Sequence, residues 1–387
     1  MLRVLTLATL FPSAAAPQLG VFVERQTLGL AALPDVELEV VSPLGLPLWP
    51  LSLHPHYAPR RHLPARETWK GLTVHRPRFH VWPRLAPTGA ARTIARTILP
   101  LLREIRHRFA FDVIDAEFFW PDGPAAMHLS RMLGVPFSIK ARGGDIDYWC
   151  GRPSIRAQIV AAGRAADGLL AVSDPLKAEM IALGMPEAKI RRHYTGIDAD
   201  RFAPVDRAAA KARLGVGGPL LVTAGALIPR KAQRLTLEAL ETVPGATLIM
   251  VGEGPDRAML TDFIRARGLG DRVRLLGSRP HYELPGLLAA ADVMVLPSAS
   301  EGLANVWVEA LACGTPIVIS DVGGARELLD RPEAGRIVAR EPEAIAAAIR
   351  EILADPPAQE AVRATVARFS WDTNASELRD HLAGLIR

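Results

Sequence analysis

Short runs of aliphatic and β-branched residues alternate with longer amphipathic stretches along almost the whole chain, and the series runs twice. This rhythm constrains the fold more than any other feature, because strands that alternate with helices build βαβ units and parallel sheets. In the first half it predicts strands at residues 3–10, 36–42, 113–118, 135–140 and 168–172, with helices at 21–33, 90–108, 123–133 and 154–165. In the second half it predicts strands at 220–224, 247–251, 273–276, 293–296 and 316–320, with helices at 232–240, 256–267, 282–290, 305–312 and 342–353. A polar stretch from Asp198 to Gly218, with Pro204, Asp206 and a Gly215-Val216-Gly217-Gly218-Pro219 cluster, separates the two series and reads as a linker. A chain of 387 residues also exceeds what one hydrophobic core usually holds. The expected organisation is an N-terminal domain over 1–200, a linker over 201–218 and a C-terminal domain over 219–370. Two doubly wound α/β domains facing one another leave a cleft, and ligands of such sheets sit at the carboxyl ends of the strands.

Hydrophobic residues make up 49% and charged residues 22%, the balance of an ordinary soluble protein, and no segment is apolar for long enough to span a bilayer. Met1 to Leu7 is apolar but runs on into Phe11-Pro12 without a cleavage pattern, so it reads as the first buried strand rather than a signal peptide. Cys150 and Cys313 are the only cysteines and fall in different halves, which supports neither a disulfide framework nor a cysteine metal site; a cytoplasmic location is expected.

The net charge of +5 is concentrated in the first half. Residues 50–110 hold 12 Lys/Arg, among them Arg60, Arg61, Arg66, Arg76, Arg78, Arg84, Arg92, Arg96, Arg103, Arg106 and Arg108, against only Glu67 and Glu104. Either this is a solvated face of an arginine-rich protein, or its basic residues 60–108 meet an anionic membrane peripherally or a diphosphate-bearing acceptor. It carries no motif that reads nucleic acid, and no nucleic-acid partner is expected.

The densest chemistry lies between Pro297 and Glu327. A strand ends at Pro297, a polar loop carries Glu301-Gly302-Leu303-Ala304, and a helix opens near Asn305, a suitable N-cap. Unpaired N–H groups at a helix start suit a diphosphate, and Gly302 lets the backbone approach it. Glu309 lies four residues after Asn305, on the same helix face, where it can accept both hydroxyls of a ribose; Glu301 at the loop mouth can meet a sugar. Taken singly, the two glutamates read equally as a surface acid and a salt-bridge partner. Glu309, however, sits among Val306, Trp307, Val308, Ala310 and Leu311, where a carboxylate needs a partner. Upstream, the loop Gly225-Ala226-Leu227-Ile228-Pro229-Arg230-Lys231 follows the first strand of the second series. Adjacent cations there can neutralise a leaving diphosphate, although cations at a helix start oppose the helix dipole. Val251-Gly252-Glu253-Gly254-Pro255 closes the next strand.

Together the Glu301-x7-Glu309 stretch with its Gly314-Thr-Pro316 and Val322-Gly323-Gly324, the Gly225-to-Lys231 loop, Val251-Gly-Glu-Gly-Pro255 and Ala291-Asp-Val-Met-Val-Leu-Pro-Ser298 resemble family 4 of the retaining glycosyltransferases, in order and over nearly the whole C-terminal half. The resemblance implies a GT-B fold and transfer of a sugar from a nucleotide diphosphate sugar with net retention. It implies that Lys231 holds the donor diphosphate, Glu301 faces the donor sugar, Glu309 holds the ribose, and the segment with Gly277 and Ser278 meets the base. Gly225, Gly252, Gly302, Leu303, Ala304 and Asn305 complete the donor-binding set. Many members carry an arginine where this chain has Ala226; Arg230 is the candidate replacement.

The N-terminal half resembles the family more loosely. Gly20, ahead of Val21-Phe22-Val23-Glu24, matches the glycine at the helix start that closes over the donor. No Gly-x-Gly-x-x-Gly follows the first strand, which argues against a dinucleotide oxidoreductase. Relatives often carry histidines at the places of Asp115 and Glu117, and one near the place of Arg142; this chain has none of them. Glu117, Arg142, Gly143 and Asp145 are therefore the acceptor-side candidates, against a structural reading in which Arg142 and Asp145 pair to brace a glycine turn. A C-terminal helix over 371–387 is expected to cross back onto the first domain. The mechanism implied is a front-face substitution with neither metal nor cofactor, in which Lys231, Arg230 and the amides of Gly302 to Asn305 stabilise the leaving diphosphate. The alternatives are a catalytically silent nucleotide-sugar-binding subunit, a GT-B sugar-nucleotide epimerase and a phosphorylase.

Overall fold

The structure is a computed structural model that describes residues 1–55, 57–81 and 87–386. Arg84 of the basic stretch and Arg387 at the end of the expected last helix lie outside the described residues. The chain divides into two compact units, one comprising Met1–Gly196 with the segment that starts at Trp371, the other Ile197–Ser370.

The first unit is built on an eight-stranded sheet in the order Ile190–Arg192, Gly168–Ala171, Phe137–Ala141, Val113–Ala116, Leu2–Leu7, Val36–Val41, Leu72–His75, Arg66–Trp69. All neighbours run parallel except the last pair. The central strand Leu2–Leu7 is buried on both faces except at Arg3, as strands of parallel sheets generally are. Helix Trp371–Ala383 lies against helix Val21–Ala31, and Gly29 provides the room for Ala375.

The antiparallel pair was not anticipated from the sequence. Arg66–Trp69 and Leu72–His75 form a hairpin through Lys70 and Gly71, both at positive φ (48° and 90°), the backbone that a tight two-residue turn needs. Its strands are short and carry Arg66, Glu67 and His75, so their charge masks the alternation.

In the second unit a six-stranded, all-parallel sheet has the order Val273–Gly277, Thr247–Val251, Leu220–Ala224, Val293–Leu296, Ile317–Ser320, Gly335–Val338. The strand order reverses between Leu220–Ala224 and Val293–Leu296, the topological switch point of a doubly wound sheet. The two doubly wound α/β units expected from the sequence are therefore present. The edge strand Gly335–Val338 was missed: it is short, and its Arg336 interrupts the apolar run.

The reading of residues 201–218 as a linker is corrected. Helix Arg207–Arg213 forms inside them, with Asp206 as N-cap accepting the Ala209 N–H at 3.0 Å. Lys211 is ion-paired with Asp292 at 2.9 Å, and Arg207 donates to the Gly314 carbonyl at 2.7 Å. Prolines and glycines flank this helix, which is what gave the stretch its loop-like composition.

Candidate active site

Two loops leave the neighbouring strands at the switch point of the second unit. One follows Leu220–Ala224 and ends in the turn Pro229–Lys231; the other follows Val293–Leu296 and carries Ser298 to Ala304. They are stitched together, the Ala299 N–H donating to the Arg230 carbonyl at 2.7 Å. The Lys231 ammonium donates to Glu301 Oε1, and the Arg230 guanidinium donates to the Ser300 carbonyl and lies 3.3 Å from Glu301 Oε2. The structure thus brings together the three residues singled out as catalytic, Arg230, Lys231 and Glu301. Burial pulls the Lys231 ammonium below its ordinary pKa, an effect that the Glu301 charge partly opposes.

Backbone conformation holds these groups in place. Ala232 sits at φ 52°, a left-handed geometry that costs a non-glycine residue about 1–2 kcal/mol and swings the chain from the turn into helix Gln233–Glu241. Gln233 is buried and ties that helix back to the loop, donating to the Ala226 carbonyl at 2.9 Å. Gly252, at φ 142°, packs directly on the Gly225 carbonyl; a Cβ there would stand 1.9 Å from the oxygen. Gly323 lies equally close beneath the Glu301 loop, where a Cβ would meet the Glu301 carbonyl oxygen at 2.1 Å. The next residue, Gly324, donates to the Gly302 carbonyl at 2.7 Å.

Helix Asn305–Ala312 begins beside this cluster. Its N-cap is Ala304, with extended backbone, and Asn305 is the first helical residue, which corrects the N-cap expected from the sequence. No side chain caps the helix; the Trp307 N–H turns back to the Ala304 carbonyl at 3.0 Å, and the N–H groups ahead of it have no side-chain cap. Gly302, Leu303 and Ala304 are buried and Asn305 is half-buried; Ser278 is exposed just after Gly277. Glu309 was expected to need a partner, and the chain supplies one: His281 Nε2 lies 2.8 Å from Glu309 Oε1, and the Phe202 ring packs on the imidazole with centroids 5.4 Å apart. Neither was anticipated, because His281 is 28 residues upstream of Glu309 and nothing local links them. The Cys313 thiol, one turn on, is pushed up to about 12 by burial and then by the Glu309 charge.

In the first unit the candidates divide differently. Arg142 pairs with Glu117, not with Asp145: its guanidinium donates to Glu117 Oε2 and to the Glu117 carbonyl at 3.0 Å, and rests over the Phe22 ring 4.8 Å from the centroid. Asp145 is fully buried, accepting the Phe119 N–H at 3.0 Å and the Arg142 N–H at 2.9 Å. That braces the turn through Gly143, at φ 103°, and leaves Asp145 a scaffold rather than an acceptor contact. Gly20, at φ 74°, begins helix Val21–Ala31 with Leu10 so close that a Cβ would stand 2.2 Å from its carbonyl oxygen.

Beneath these loops lies a polar layer that sequence reasoning missed. Lys140, wholly buried, donates to Gln26 Oε1 at 2.6 Å and stands 2.8 Å from His193 Nδ1, while Gln26 donates to Glu117. His193 Nε2 reaches the Asn374 carbonyl at 2.8 Å, and Ser138 meets His381 at 2.8 Å. Burial holds Lys140, His193 and His381 below their ordinary pKa values, His381 at about 4. Burial, followed by the Glu117 charge, holds Asp115 well above its ordinary value. The chain also contains two Asp-x-Asp triplets, Asp145-Ile146-Asp147, which includes the acceptor-side candidate Asp145, and Asp198-Ala199-Asp200. Among the described residues, no group of three or more His, Cys, Asp or Glu is placed to hold a metal ion.

Comparison with known proteins agrees with this architecture. Residues 206–368 match the family described as Glycosyl transferases group 1, and residues 50–201 match Glycosyltransferase Family 4. A Bacillus subtilis relative named as teichuronic acid biosynthesis glycosyltransferase TuaC is 29% identical over 357 residues, covering 90% of this chain and 88% of the relative. A GDP-mannose-dependent α-(1-6)-phosphatidylinositol monomannoside mannosyltransferase of Mycobacterium tuberculosis is 30% identical over 341 residues, covering 82% of this chain and 88% of the relative. Among solved structures, sucrose-phosphate synthase from Thermosynechococcus elongatus superposes with a TM-score of 0.84 at 21% identity, over 100% of this chain and 99% of that one. Anabaena HepE in complex with UDP superposes with a TM-score of 0.73 at 20% identity, over 99% and 100% of the chains. The fold is GT-B, and the chain belongs to glycosyltransferase family 4. It is a glycosyltransferase.

Proposed function

We propose that the protein transfers a sugar, with retention at the anomeric carbon, from a nucleotide diphosphate sugar to a hydroxyl of a glycan, lipid-linked or small-molecule acceptor in cell-surface polysaccharide or glycolipid synthesis. The observation that carries this reading is the convergence of Lys231 and Arg230 on Glu301 beside the uncapped start of helix Asn305–Ala312. Two cations and a set of backbone N–H groups fixed before substrate arrives are what a departing diphosphate needs. Two relatives whose names cite GDP-mannose and teichuronic acid synthesis support the class of donor and of product.

In the proposed reaction the bond between the anomeric carbon and the diphosphate oxygen breaks as the acceptor oxygen bonds to the same face of that carbon. The acceptor proton passes to the departing diphosphate oxygen. Lys231, Arg230 and the amides from Gly302 to Asn305 take up the charge that develops there, so no metal ion is required. Glu301, its carboxylate oriented by both cations, faces the donor sugar. Glu309, held by His281, binds the ribose hydroxyls. Arg230 supplies the cation for which Ala226 has no side chain.

The test is a thermal-shift screen with UDP, GDP, ADP and their sugar conjugates, with EDTA and then with magnesium. Stabilisation by one nucleotide family, kept in EDTA and lost in Lys231→Ala, is the expected result. Stabilisation that appears only with magnesium, or persists in Lys231→Ala, overturns the assignment.

A further inference from the structure

A surface far along the chain from these loops has a chemistry of its own. Leu48, Trp49, Leu51 and Leu53 are 47, 77, 54 and 52% exposed, four of the twelve exposed large hydrophobic residues among the described residues, gathered within six positions. Singly exposed apolar residues are ordinary, whereas a cluster marks an interaction surface. The cluster is displayed by a folded loop. Leu46 and Pro47 are buried at its base, and Ser52 is buried between Leu51 and Leu53. Ser52 N–H donates to the Leu48 carbonyl at 3.3 Å, Leu53 N–H to Pro50 at 2.9 Å, and His54 N–H to Leu51 at 3.1 Å.

Cations flank it. Helix Ala58–Arg61, which carries Arg60 and Arg61, packs against the turn Leu51–Leu53 and strand Leu44–Leu46, with the Arg60 guanidinium over the Tyr57 ring. Arg78 joins them, donating to the Arg61 and Leu63 carbonyls at 2.9 and 2.8 Å. Residues 40–66 contain no Asp or Glu. The bordering acids are engaged inside the unit, Glu39 with His75 and Arg108, Glu67 with Arg76. An exposed tryptophan among leucines, ringed by arginines, suits the boundary of a bilayer whose head groups are anionic. A second copy of the chain suits it poorly, because a self-complementary contact would bring the arginines of both copies together.

We propose that residues 48–53 with Arg60 and Arg61 form a docking surface for bilayers containing anionic lipid, Trp49 and the leucines entering the interfacial layer and the arginines lying over the head groups. This surface does not depend on the transfer reaction proposed above. The test is co-sedimentation of the full chain with vesicles of phosphatidylcholine alone or with 30% phosphatidylglycerol, at low and high salt, for the wild type, Arg60→Ala/Arg61→Ala and Trp49→Ser/Leu51→Ser. The wild type is expected to bind the mixed vesicles, less so at high salt. The arginine pair should lose roughly tenfold or more in partitioning, since each basic group near such a surface contributes roughly fivefold. The Trp49/Leu51 variant should lose binding at every salt concentration. Trp49, Leu51 and Arg61 are exposed and Arg60 is half-buried over the Tyr57 ring, so both variants should keep a melting temperature close to the wild type and transfer to a water-soluble acceptor. Absence of wild-type binding, or binding unchanged in both variants, overturns the proposal. So does a concentration-dependent dimer abolished by Trp49→Ser/Leu51→Ser without vesicle binding, which would give the surface to a second copy.

Discussion

The two units share a doubly wound sheet yet treat charge at their switch points in opposite ways. In the second unit the two strands at the switch point, Leu220–Ala224 and Val293–Leu296, carry no charged residue, and the charges of the candidate site sit on the loops and the helix beyond them, as Lys231, Arg230 and Glu301 and as Glu309 with His281. In the first unit charge enters the strands themselves: Asp115 and Lys140 lie within Val113–Ala116 and Phe137–Ala141, fully buried. Their neighbours Glu117, Gln26, Arg142 and His193 are consumed in internal contacts. At the first unit's switch point the loops are tied shut, Thr9 N–H donating to Asp122 at 3.0 Å. One topology thus carries charge on loops, where the Arg230 side chain is 39% exposed, and charge within a sheet, where Asp115 and Lys140 are buried. A buried ion pair is an uncertain source of stability, but losing one partner is costly.

Glu117→Ala tests the interior most severely. The Glu117 and Arg142 side chains are 2 and 6% exposed, so the variant leaves a buried guanidinium uncompensated. It should cost about 3–5 kcal/mol in urea unfolding of the full chain. A loss below 1 kcal/mol would show that the first unit's charge is not structural. On the other side, Lys231→Ala should lower the transfer rate by about 10²–10³-fold, the cost of removing one stabilising donor, with a melting temperature close to wild type. A large loss of stability with little change in rate would reverse the contrast between the units.

A third test uses pH. Burial raises the Asp122 carboxyl from 3.8 to about 7, so between those values the folded chain holds a proton that the unfolded chain releases. Its contribution is therefore present in full below pH 3.8 and is lost as pH rises through about 7. Asp122→Asn keeps an oxygen for the Thr9 N–H and removes this titration. It should be more stable than wild type at pH 8 by up to about 4 kcal/mol, with little gain at pH 4. His381 works in the opposite sense: held at about 4 by burial, it loses stability as pH falls from 6.5, so only the difference between variant and wild type isolates Asp122. The smallest effect belongs to Glu309→Ala, expected to weaken nucleotide affinity about tenfold, roughly one good hydrogen-bonded contact. Glu301→Gln should chiefly slow transfer. Equal effects of both on binding alone would erase the division of roles within the second unit.

Much of the second unit was legible because its information is local. Helix 305–312 was read with its bounds intact, and each motif loop lies beside the strand end that the periodicity assigned to it. The errors there came from composition: the helix Arg207–Arg213 hid between glycines and prolines, and Asn305 looked like a cap although Ala304 takes the extended conformation. In the first unit the hairpin around Lys70-Gly71 was hidden by its charge, and Lys140 looked like the end of an apolar strand rather than the centre of a polar layer.

What the sequence determined by itself is the order of strands and helices, the two-unit α/β plan and the residues of the second switch point, since periodicity, capping and turn chemistry act over a few residues. Partnership was decided only by tertiary structure: Arg142 with Glu117 instead of Asp145, Glu309 with His281, and Lys140 with Gln26 and His193, whereas the return of helix Trp371–Ala383 to the first unit was expected from the family resemblance. These pairs join residues from 25 to 114 positions apart. Which of them meet depends on which strands become neighbours and how far each loop reaches, and no local pattern encodes either.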